Sequence, residues 1–311
     1  MTEAIEAFRR IRARLSEQNR AYLLLVAATL MWSGNFILGR AAAFEIPPVT
    51  LGFWRWIVAC SILGFIGWRS VVREWHIIRP VWFRLSILGI LGVSLFNTLV
   101  YAGLQTTLAT NGLLINSAIP VLIVLLSAIL LGKHLVWRQA LGILLSTFGV
   151  LLLVVQGDLS ALLRVEFHKG DLFIVTAALA WGFYSVWLAW KPRELSPLAF
   201  LTFIAFVGII PLSVAYYFNI FDEPAIVLSA PNLGIIFYTG IMASVMAFLC
   251  WNHAVRVVGA AVAGQFVHLM PVFGAIMAVL FLGEVPKAFH AVGAGFIVVG
   301  VLFALWRKDR L

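Results

Sequence analysis

The chain has 311 residues, of which 63% are hydrophobic and 11% are charged, whereas a soluble domain carries roughly 25% charged residues, so the composition excludes a soluble protein. The formal charge is +9, but the basic residues are spread over many short segments, which argues against a nucleic-acid partner. The two cysteines lie within apolar runs and give no sign of a disulfide or a metal site, and no cofactor is expected.

Ten apolar runs follow one another along the chain, each long enough to cross a bilayer, which needs about 20 residues. They cover residues 21–43, 48–69, 82–105, 107–131, 135–156, 171–190, 198–218, 231–255, 259–282 and 287–306. Barrel strands would alternate in hydrophobicity, whereas these runs are continuous, and backbone groups in lipid must pair internally. We therefore predict an all-α integral membrane protein with ten transmembrane helices.

The distribution of basic residues predicts the orientation in the membrane. With the N-terminus placed in the cytoplasm, 17 of the 22 lysines and arginines fall in cytoplasmic loops or tails and 3 fall outside, while Arg40 and Arg55 lie within spans. The positive-inside rule therefore predicts that both termini are cytoplasmic. A bacterial source would place the protein in the inner membrane.

The first twenty residues are polar to amphipathic. Phe8, Ile11 and Leu15 recur at helical spacing between arginines, which fits an amphipathic helix lying on the anionic inner leaflet. A disordered basic tail is the alternative. A small-residue cleavage site is absent at the usual distance after the first apolar run, so we do not expect a cleaved signal peptide.

A long internal repeat relates the two halves of the chain. The stretch Asn116–Leu151 returns 151 residues later without a gap, so that Pro120 corresponds to Pro271 and Gly149 to Gly300. Such periodicity indicates two copies of one structural unit. Because each copy holds five predicted spans, an odd number, the second copy enters the membrane from the opposite side.

The repeat offset and the five spans of each copy give the expected domain organisation. We predict a cytoplasmic amphipathic segment at 1–20, a first five-helix repeat at 21–156, an external linker at 157–170, a second inverted repeat at 171–306 and a cytoplasmic tail at 307–311. Inverted repeats are frequent in secondary transporters, whose substrate site lies near the bilayer midplane between the repeats. We therefore expect two inverted five-helix repeats around a central cavity, which one chain can build as a monomer.

Several motifs resemble the drug/metabolite transporter superfamily, in particular its EamA-type members. The fourth span of the second copy ends in the signature Phe281-Leu282-Gly283-Glu284, whereas the first copy has Leu130-Leu131-Gly132-Lys133, with lysine in place of glutamate. Arg55 in the second span and the segment Trp251–Val255 also resemble the family. The resemblance covers the whole chain and implies transport of amino acids, other metabolites, drugs or sugar derivatives. We favour bacterial amino-acid exporters of the YddG type, which no single motif identifies.

Polar and aromatic side chains near the middle of the spans are the candidates for a substrate cavity, because polar groups inside a bilayer are costly and usually functional. Aromatic walls with a few amide and hydroxyl groups suit a small amphipathic molecule such as an amino acid. The candidate residues are Trp32, Asn35, Asn97, Tyr101, Asn116, Ser117, Trp181, Tyr184, Gln265 and His268. Hydrogen bonds to neighbouring helices are the alternative for each polar group. We expect Pro120 and Pro271 to bend their helices.

Three charged residues near the outer ends of the first two spans form a separate candidate. Arg40 and Arg55 lie within spans and Glu45 lies in the short loop between them, so we predict an external Arg40–Glu45–Arg55 cluster with a structural or outer-gate role. The alternative is that one of the arginines meets a substrate carboxylate.

The acidic residues bear on energy coupling, because none of the 13 lies at mid-membrane in this topology. Small multidrug antiporters, which are related to the superfamily that this chain resembles, couple to protons through a glutamate in the first span, where this chain has Trp32 and Asn35. His268 is the mid-membrane group that would titrate near neutral pH. We therefore expect facilitated or weakly coupled export.

Four other functions compete with amino-acid export. Efflux of drugs or organic cations, or carriage of another metabolite, would use the same fold. An intramembrane enzyme would need paired Asp motifs or HExxH, which the chain lacks, and Ser117 with His268 is only a loose nucleophile–base pair. A channel would need a continuous polar lining, whereas the polar residues cluster at mid-depth. The expected partners are a small-molecule substrate and the lipid bilayer.

Overall fold

The computed structural model of the chain consists of helices and short connections, with no strand among the residues that it describes. These are residues 2–41, 45–104, 106–107, 109–133, 135–164, 166–220, 222–282 and 285–305. The first helix is continuous from Thr2 to Ala41 and so includes the predicted amphipathic segment. The predicted tail at 307–311 lies outside the described residues.

Ten helices in the described part of the chain are long and apolar enough to cross a membrane, as predicted. They are α1 (Glu17–Gly39), α2 (Pro48–Arg73), α3 (Trp75–Val100), α4 (Asn111–Leu131), α5 (Trp137–Val154), α6 (Lys169–Trp190), α7 (Pro197–Tyr217), α8 (Ala230–Val258), α9 (Ala260–Leu280) and α10 (Ala288–Leu305). The all-α architecture is therefore confirmed. The third span begins at Trp75 rather than at residue 82, because the 3₁₀ turn Arg79–Val81 lets the helix continue through Pro80.

The two halves of the chain pack mainly against each other. Helix α1 packs on α8 and α9, and its counterpart α6 packs on α3 and α4. Helix α2 packs on its own counterpart α7, and α5 packs on its counterpart α10. Such reciprocal contacts are those of a two-fold interface, in which the same surface is used twice. The predicted pair of inverted repeats is thus built into one interlocked bundle.

Glycines bring α5 and α10 into backbone contact. A Cβ added to Gly142 would lie 2.5 Å from the carbonyl oxygen of Gly300, and a Cβ added to Gly300 would lie 2.5 Å from that of Gly142. Gly149 and Gly293 face each other in the same reciprocal way, at 2.5 and 2.9 Å. Small residues at such crossings let helices approach closely in a membrane.

Two carboxylate clamps join α2 and α7, one at each end of the pair. Glu74, which follows α2, accepts a hydrogen bond of 2.7 Å from the backbone N–H of Ser196, directly before α7. Glu223, which follows α7, accepts hydrogen bonds of 2.6 and 2.9 Å from the backbone N–H groups of Val49 and Thr50 at the start of α2. Each carboxylate therefore meets the positive end of the partner helix, where anions are stabilised.

Helices α3 and α4 of the first half and helices α8 and α9 of the second half are irregular at equivalent places. Helix α3 contains a π segment at Ile90–Leu95, and α8 contains one at Thr239–Met246. Helix α4 is interrupted between Asn116 and Ile119, directly before Pro120, and α9 contains the 3₁₀ turn Phe266–His268 shortly before Pro271. Such irregular turns are frequent at functional sites.

The α5–α10 contact predicts that replacing two glycines of α10 by alanine changes the melting temperature differently. Gly300→Ala should lower the melting temperature of the purified protein in detergent, because overpacking of this kind costs about 1–3 kcal/mol. Gly295→Ala, also in α10, should leave it unchanged or raise it, since a Cβ there meets nothing within 4 Å. Equal melting temperatures for the two variants would contradict the assigned contact.

The clamp at Glu74 predicts a loss of stability that depends on pH. Burial acts to raise the pKa of Glu74, but the hydrogen bonds from Ser196 and Arg73 outweigh it and hold the pKa below its ordinary value of 4.5. The stabilisation is therefore complete above pH 4.5 and is lost as the pH falls through the folded-state pKa.

Glu74→Ala should accordingly lower the free energy of unfolding by about 1–2 kcal/mol near neutral pH and by less at acid pH. The control is Glu194→Ala, which removes an exposed carboxylate from the neighbouring loop. Thermal unfolding in detergent at both pH values measures the difference. An equal effect of both variants would count against the clamp.

Candidate functional site

Four large aromatic side chains meet in the middle of the bundle. The ring centroids of Trp32 and Trp181 are 5.2 Å apart at an interplanar angle of 86°, and that of Trp251 lies 5.3 Å from Trp32 and 5.7 Å from Trp181. Phe248 lies 6.0 Å from Trp32 and 5.7 Å from Trp181. We call Trp32, Trp181, Phe248 and Trp251 the aromatic cluster. Edge-to-face contacts of this kind are favourable beyond the area that they bury.

The repeat places the aromatic cluster on the axis between the halves. Trp32 in α1 and Trp181 in α6 occupy equivalent positions, 149 residues apart, and they contact each other directly. Trp32 Nε1 donates a hydrogen bond of 3.0 Å to the carbonyl of Ala243, which lies in the π segment of α8. The contact of Trp32 with Trp181 therefore involves the π segment, which local sequence patterns do not reveal.

A buried arginine lies next to the aromatic cluster. The side chain of Arg55 in α2 is 2% exposed, and its Nε donates a hydrogen bond of 2.8 Å to Ser244 Oγ in the same π segment. Its Nη1 donates to Asn97 Oδ1 at 3.3 Å and to Asn35 Oδ1 at 3.5 Å. Asn35 lies one turn after Trp32, and Ser244 follows Ala243. The guanidinium group and the aromatic cluster are thus adjoining parts of one region.

The predicted Arg40–Glu45–Arg55 cluster is not formed between the two members whose side chains are described, Glu45 and Arg55. Glu45 Oε2 accepts a hydrogen bond of 2.7 Å from Asn232 Nδ2, and the Glu45 carbonyl accepts one of 3.0 Å from Val227 N. Arg55 lies seven residues into α2, about 10 Å along the helix from its start, and it donates hydrogen bonds there to amide and hydroxyl oxygens. The side chain of Arg40 lies outside the described residues.

His268 in α9 forms hydrogen bonds to two other helices, α4 and α5, in the membrane interior. The side chain is 1% exposed, with Nδ1 at 2.7 Å from Ser146 Oγ and Nε2 at 2.9 Å from the carbonyl oxygen of Ser117. A carbonyl can only accept, so the Nε2 atom carries a proton. The Ser117 hydroxyl instead donates to Leu114 O at 2.6 Å. His268 therefore has a hydrogen-bonding role between α9, α4 and α5, and it does not activate Ser117 as a nucleophile.

Of the remaining candidates, Tyr184 contacts the aromatic cluster. Tyr184 OH donates a hydrogen bond of 2.7 Å to Asn252 Oδ1, and Tyr184 stacks on Trp181. Gln265 is fully buried, and neither of its side-chain amide atoms has a hydrogen-bond partner among the described residues. Asn116 Oδ1 also has no hydrogen-bond partner among the described residues. The side chain of Tyr101 lies outside the described part of the chain.

Several residues of this region were not predicted as site residues. In the sequence, Trp251 and Asn252 belong to a segment that resembles the family, and Phe248 carries no signal of its own. Trp251 is fully buried, and its Nε1, like Asn252 Nδ2, has no hydrogen-bond partner among the described residues. Buried polar groups without partners are costly and need an explanation. Trp251 and Asn252 lie five and six residues after Met246, where the π segment of α8 ends, and aligning α8 with α3 could have marked this place.

Most of the predicted cavity residues are packed, and two cavities among the described residues lie away from them. Eight of the ten predicted cavity residues are at most 8% exposed. One cavity, of about 180 Å³, lies beside Glu223 and Thr50. A second, of about 320 Å³, lies beside Lys133 and Tyr22. Neither cavity is lined by any of the ten predicted residues.

Comparison with known proteins places the chain among transporters. A Bacillus subtilis protein named uncharacterized transporter YyaM is 28% identical over 286 residues, which cover 91% of this chain and 92% of that protein. A Streptantibioticus cattleyicolor protein named probable terminal-alkyne amino-acid exporter is 24% identical over 290 residues, which cover 91% and 93% of the two chains. A crystal structure with 23% identity shares the fold at a TM-score of 0.74, covering 91% of this chain and 96% of that one.

The match to a family extends over both halves. The profile of the EamA-like transporter family matches residues 19–155 and again residues 168–306. These two matches coincide with the two sets of five helices that pack against each other, and they confirm the resemblance to EamA-type transporters. The chain therefore belongs to the EamA-like transporter family.

Proposed function

We propose that this membrane transporter is an alternating-access carrier that exports small amphipathic metabolites, with amino acids, including aromatic ones, as the substrates best supported. The observation that carries the proposal is the adjacency of the buried Arg55 guanidinium group and the aromatic cluster at the interface of the two repeats. Substrate sites of transporters built from inverted repeats lie at such interfaces.

The guanidinium group supplies the first half of an amino-acid site. The hydrogen bonds of Arg55 to Asn35, Asn97 and Ser244 end on neutral oxygen atoms. A carboxylate makes stronger, charge-assisted hydrogen bonds to an arginine than a neutral oxygen does. A substrate carboxylate can therefore replace one of these acceptors, which is the alternative role that the sequence left open for the arginines.

The aromatic cluster supplies the second half. The four rings of the cluster, with Trp32, Phe248 and Trp251 in contact with Trp181, offer apolar surface to the side chain of an amphipathic substrate. The Gln265 amide and the Asn252 Nδ2 atom, which have no hydrogen-bond partner among the described residues, supply polar groups in the same interior. The name of the Streptantibioticus relative, an amino-acid exporter, supports this substrate class.

Organic-cation efflux is the second candidate, since aromatic rings also attract cations through their π faces. The nearby positive charge of Arg55 works against it. An intramembrane enzyme is disfavoured, because His268 contacts the carbonyl and not the hydroxyl of Ser117. Facilitated transport in the inner membrane with both termini in the cytoplasm stays part of the proposal. A monomer suffices, because one chain supplies both sides of every repeat interface.

The substrate proposal predicts a difference between an amino acid and its decarboxylated amine. In proteoliposomes, phenylalanine should be transported and phenethylamine should not. Arg55→Lys should raise the half-saturation concentration for phenylalanine about tenfold or more, because a lysine cannot reproduce the forked hydrogen bonds. Trp181→Ala should impair transport of phenylalanine more than that of alanine.

The matched control is Trp137→Ala, which removes an exposed tryptophan at the end of α5. This variant should transport like the unmodified protein. Preferred transport of phenethylamine would overturn the amino-acid proposal in favour of organic-cation efflux.

The energy source gives a separate prediction. Phenylalanine flux from loaded liposomes should be unchanged when a pH gradient is imposed, because we expect no carboxylate relay through the centre of the membrane. The same liposomes with a proton ionophore serve as the control. Uphill export driven by the gradient would refute facilitated transport.

A further inference from the structure

A hydrogen-bonded cluster holds the start of α6 against the turn between α3 and α4. The carboxylate of Asp171 is 1% exposed, and its Oδ1 accepts a hydrogen bond from the hydroxyl of Thr107. Its Oδ2 accepts one of 3.0 Å from Asn111 Nδ2 and one of 2.8 Å from the backbone N–H of His168. We call Asp171, Thr107 and Asn111 the Asp171 lock.

The backbone around the Asp171 lock is closely packed. A Cβ added to Gly170 would lie 2.3 Å from the carbonyl oxygen of Gly103 and 2.7 Å from Thr106 Oγ1. The Asn111 amide also donates a hydrogen bond of 2.9 Å to the carbonyl of Glu166, in the segment before α6. The bundle is therefore closed at this point.

The internal repeat gives each residue of the lock a counterpart at the other end of the bundle. The offset is 149 between α1 and α6 and 151 between α4 and α9, so the counterparts of Asp171, Thr107 and Asn111 are Tyr22, Val258 and Val262. All three counterparts line the cavity of about 320 Å³ beside Lys133. The same three places are thus hydrogen-bonded together in one half and border an open cavity in the other.

This difference contrasts with features that are the same in both halves. The glycine contacts of α5 with α10 and the carboxylate clamps of α2 with α7 occur at both ends of the molecule. In a carrier made of inverted repeats, parts that do not move look alike in both halves. Parts that alternate differ, since one entrance is closed while the other is open.

We propose that the cavity beside Lys133 is an entrance to the transport path and that the Asp171 lock closes the equivalent entrance on the opposite side. The inference rests on the proposed alternating-access function. The lock uses hydrogen bonds to a carboxylate, whereas its counterparts are a tyrosine and two valines. The sequence itself therefore favours the state that is open beside Lys133.

A purely structural role for Asp171 is the competing explanation. The bond from His168 N is a helix cap, which Asp171 would make in any α6. The bonds from Thr107 and Asn111 have another origin, because both donors belong to the segment between α3 and α4. A cap needs no such donors, whereas a lock does.

The test compares two disulfide crosslinks in a Cys60→Ser, Cys250→Ser background. Thr107→Cys with Asp171→Cys, once oxidised, should abolish phenylalanine transport, and reduction should restore it. Thr50→Cys with Glu223→Cys spans a carboxylate clamp, where the side chains approach to 3.0 Å, and its crosslink should leave transport unchanged. Undiminished transport with the lock crosslinked would overturn the proposal, and so would loss of transport with the clamp crosslinked.

A second measurement needs neither a transported substrate nor substitution of Asp171. Val262→Cys should react with a membrane-impermeant thiol reagent supplied on the side of Lys133. Adding Asn111→Val, which gives the lock the residue of its counterpart, should slow this labelling about tenfold, because losing a hydrogen bond to a charged group shifts the population towards the opposite state.

Unchanged or faster labelling in the Asn111→Val variant would overturn the lock. If phenylalanine is not transported while labelling slows as expected, the proposed substrate is wrong and the lock stands.

Discussion

The contact on which the rest of the structure depends is the packing of each half against the other across a two-fold axis. Lipid offers no hydrogen-bond partners, so helices must associate by close packing and by internal polar contacts. The glycines of α5 and α10 allow backbone contact, and the clamps at Glu74 and Glu223 attach each end of α2 to α7. Because these contacts recur in both halves, they form a fixed frame around the irregular helices.

Inside that frame, the π segments of α3 and α8 and the broken helices α4 and α9 give the polar interior its shape. The π segment of α8 presents the carbonyl of Ala243 to Trp32 and the hydroxyl of Ser244 to Arg55, so one irregular turn joins the aromatic cluster to the guanidinium group. Equivalent turns occur in both copies, and the aromatic cluster lies where the two halves meet. The proposed carrier would use this shared region as its substrate site.

The symmetry also distinguishes the places where the two halves differ. At one end Asp171 receives hydrogen bonds from Thr107 and Asn111, while at the other end Tyr22 borders a cavity. The frame is symmetric and these two places are not, so the proposed change between states would leave the helix contacts of the frame intact. Under the carrier proposal, the protein would alternate while keeping the contacts that stabilise it.

The sequence by itself determined the ten spans, the inverted halves and the presence of Trp32, Asn35, Asn97 and Trp181 in one interior. Hydrophobicity, the repeat offset and the depth of a residue in its span can all be read along the chain without knowing how the helices pack. Only the tertiary structure decided the partners. Arg55 meets Asn35, Asn97 and Ser244 rather than Glu45, and His268 meets the carbonyl of Ser117. Such contacts depend on how each helix is rotated and how deeply it lies against helices distant in the chain, which the pattern of a single span does not specify.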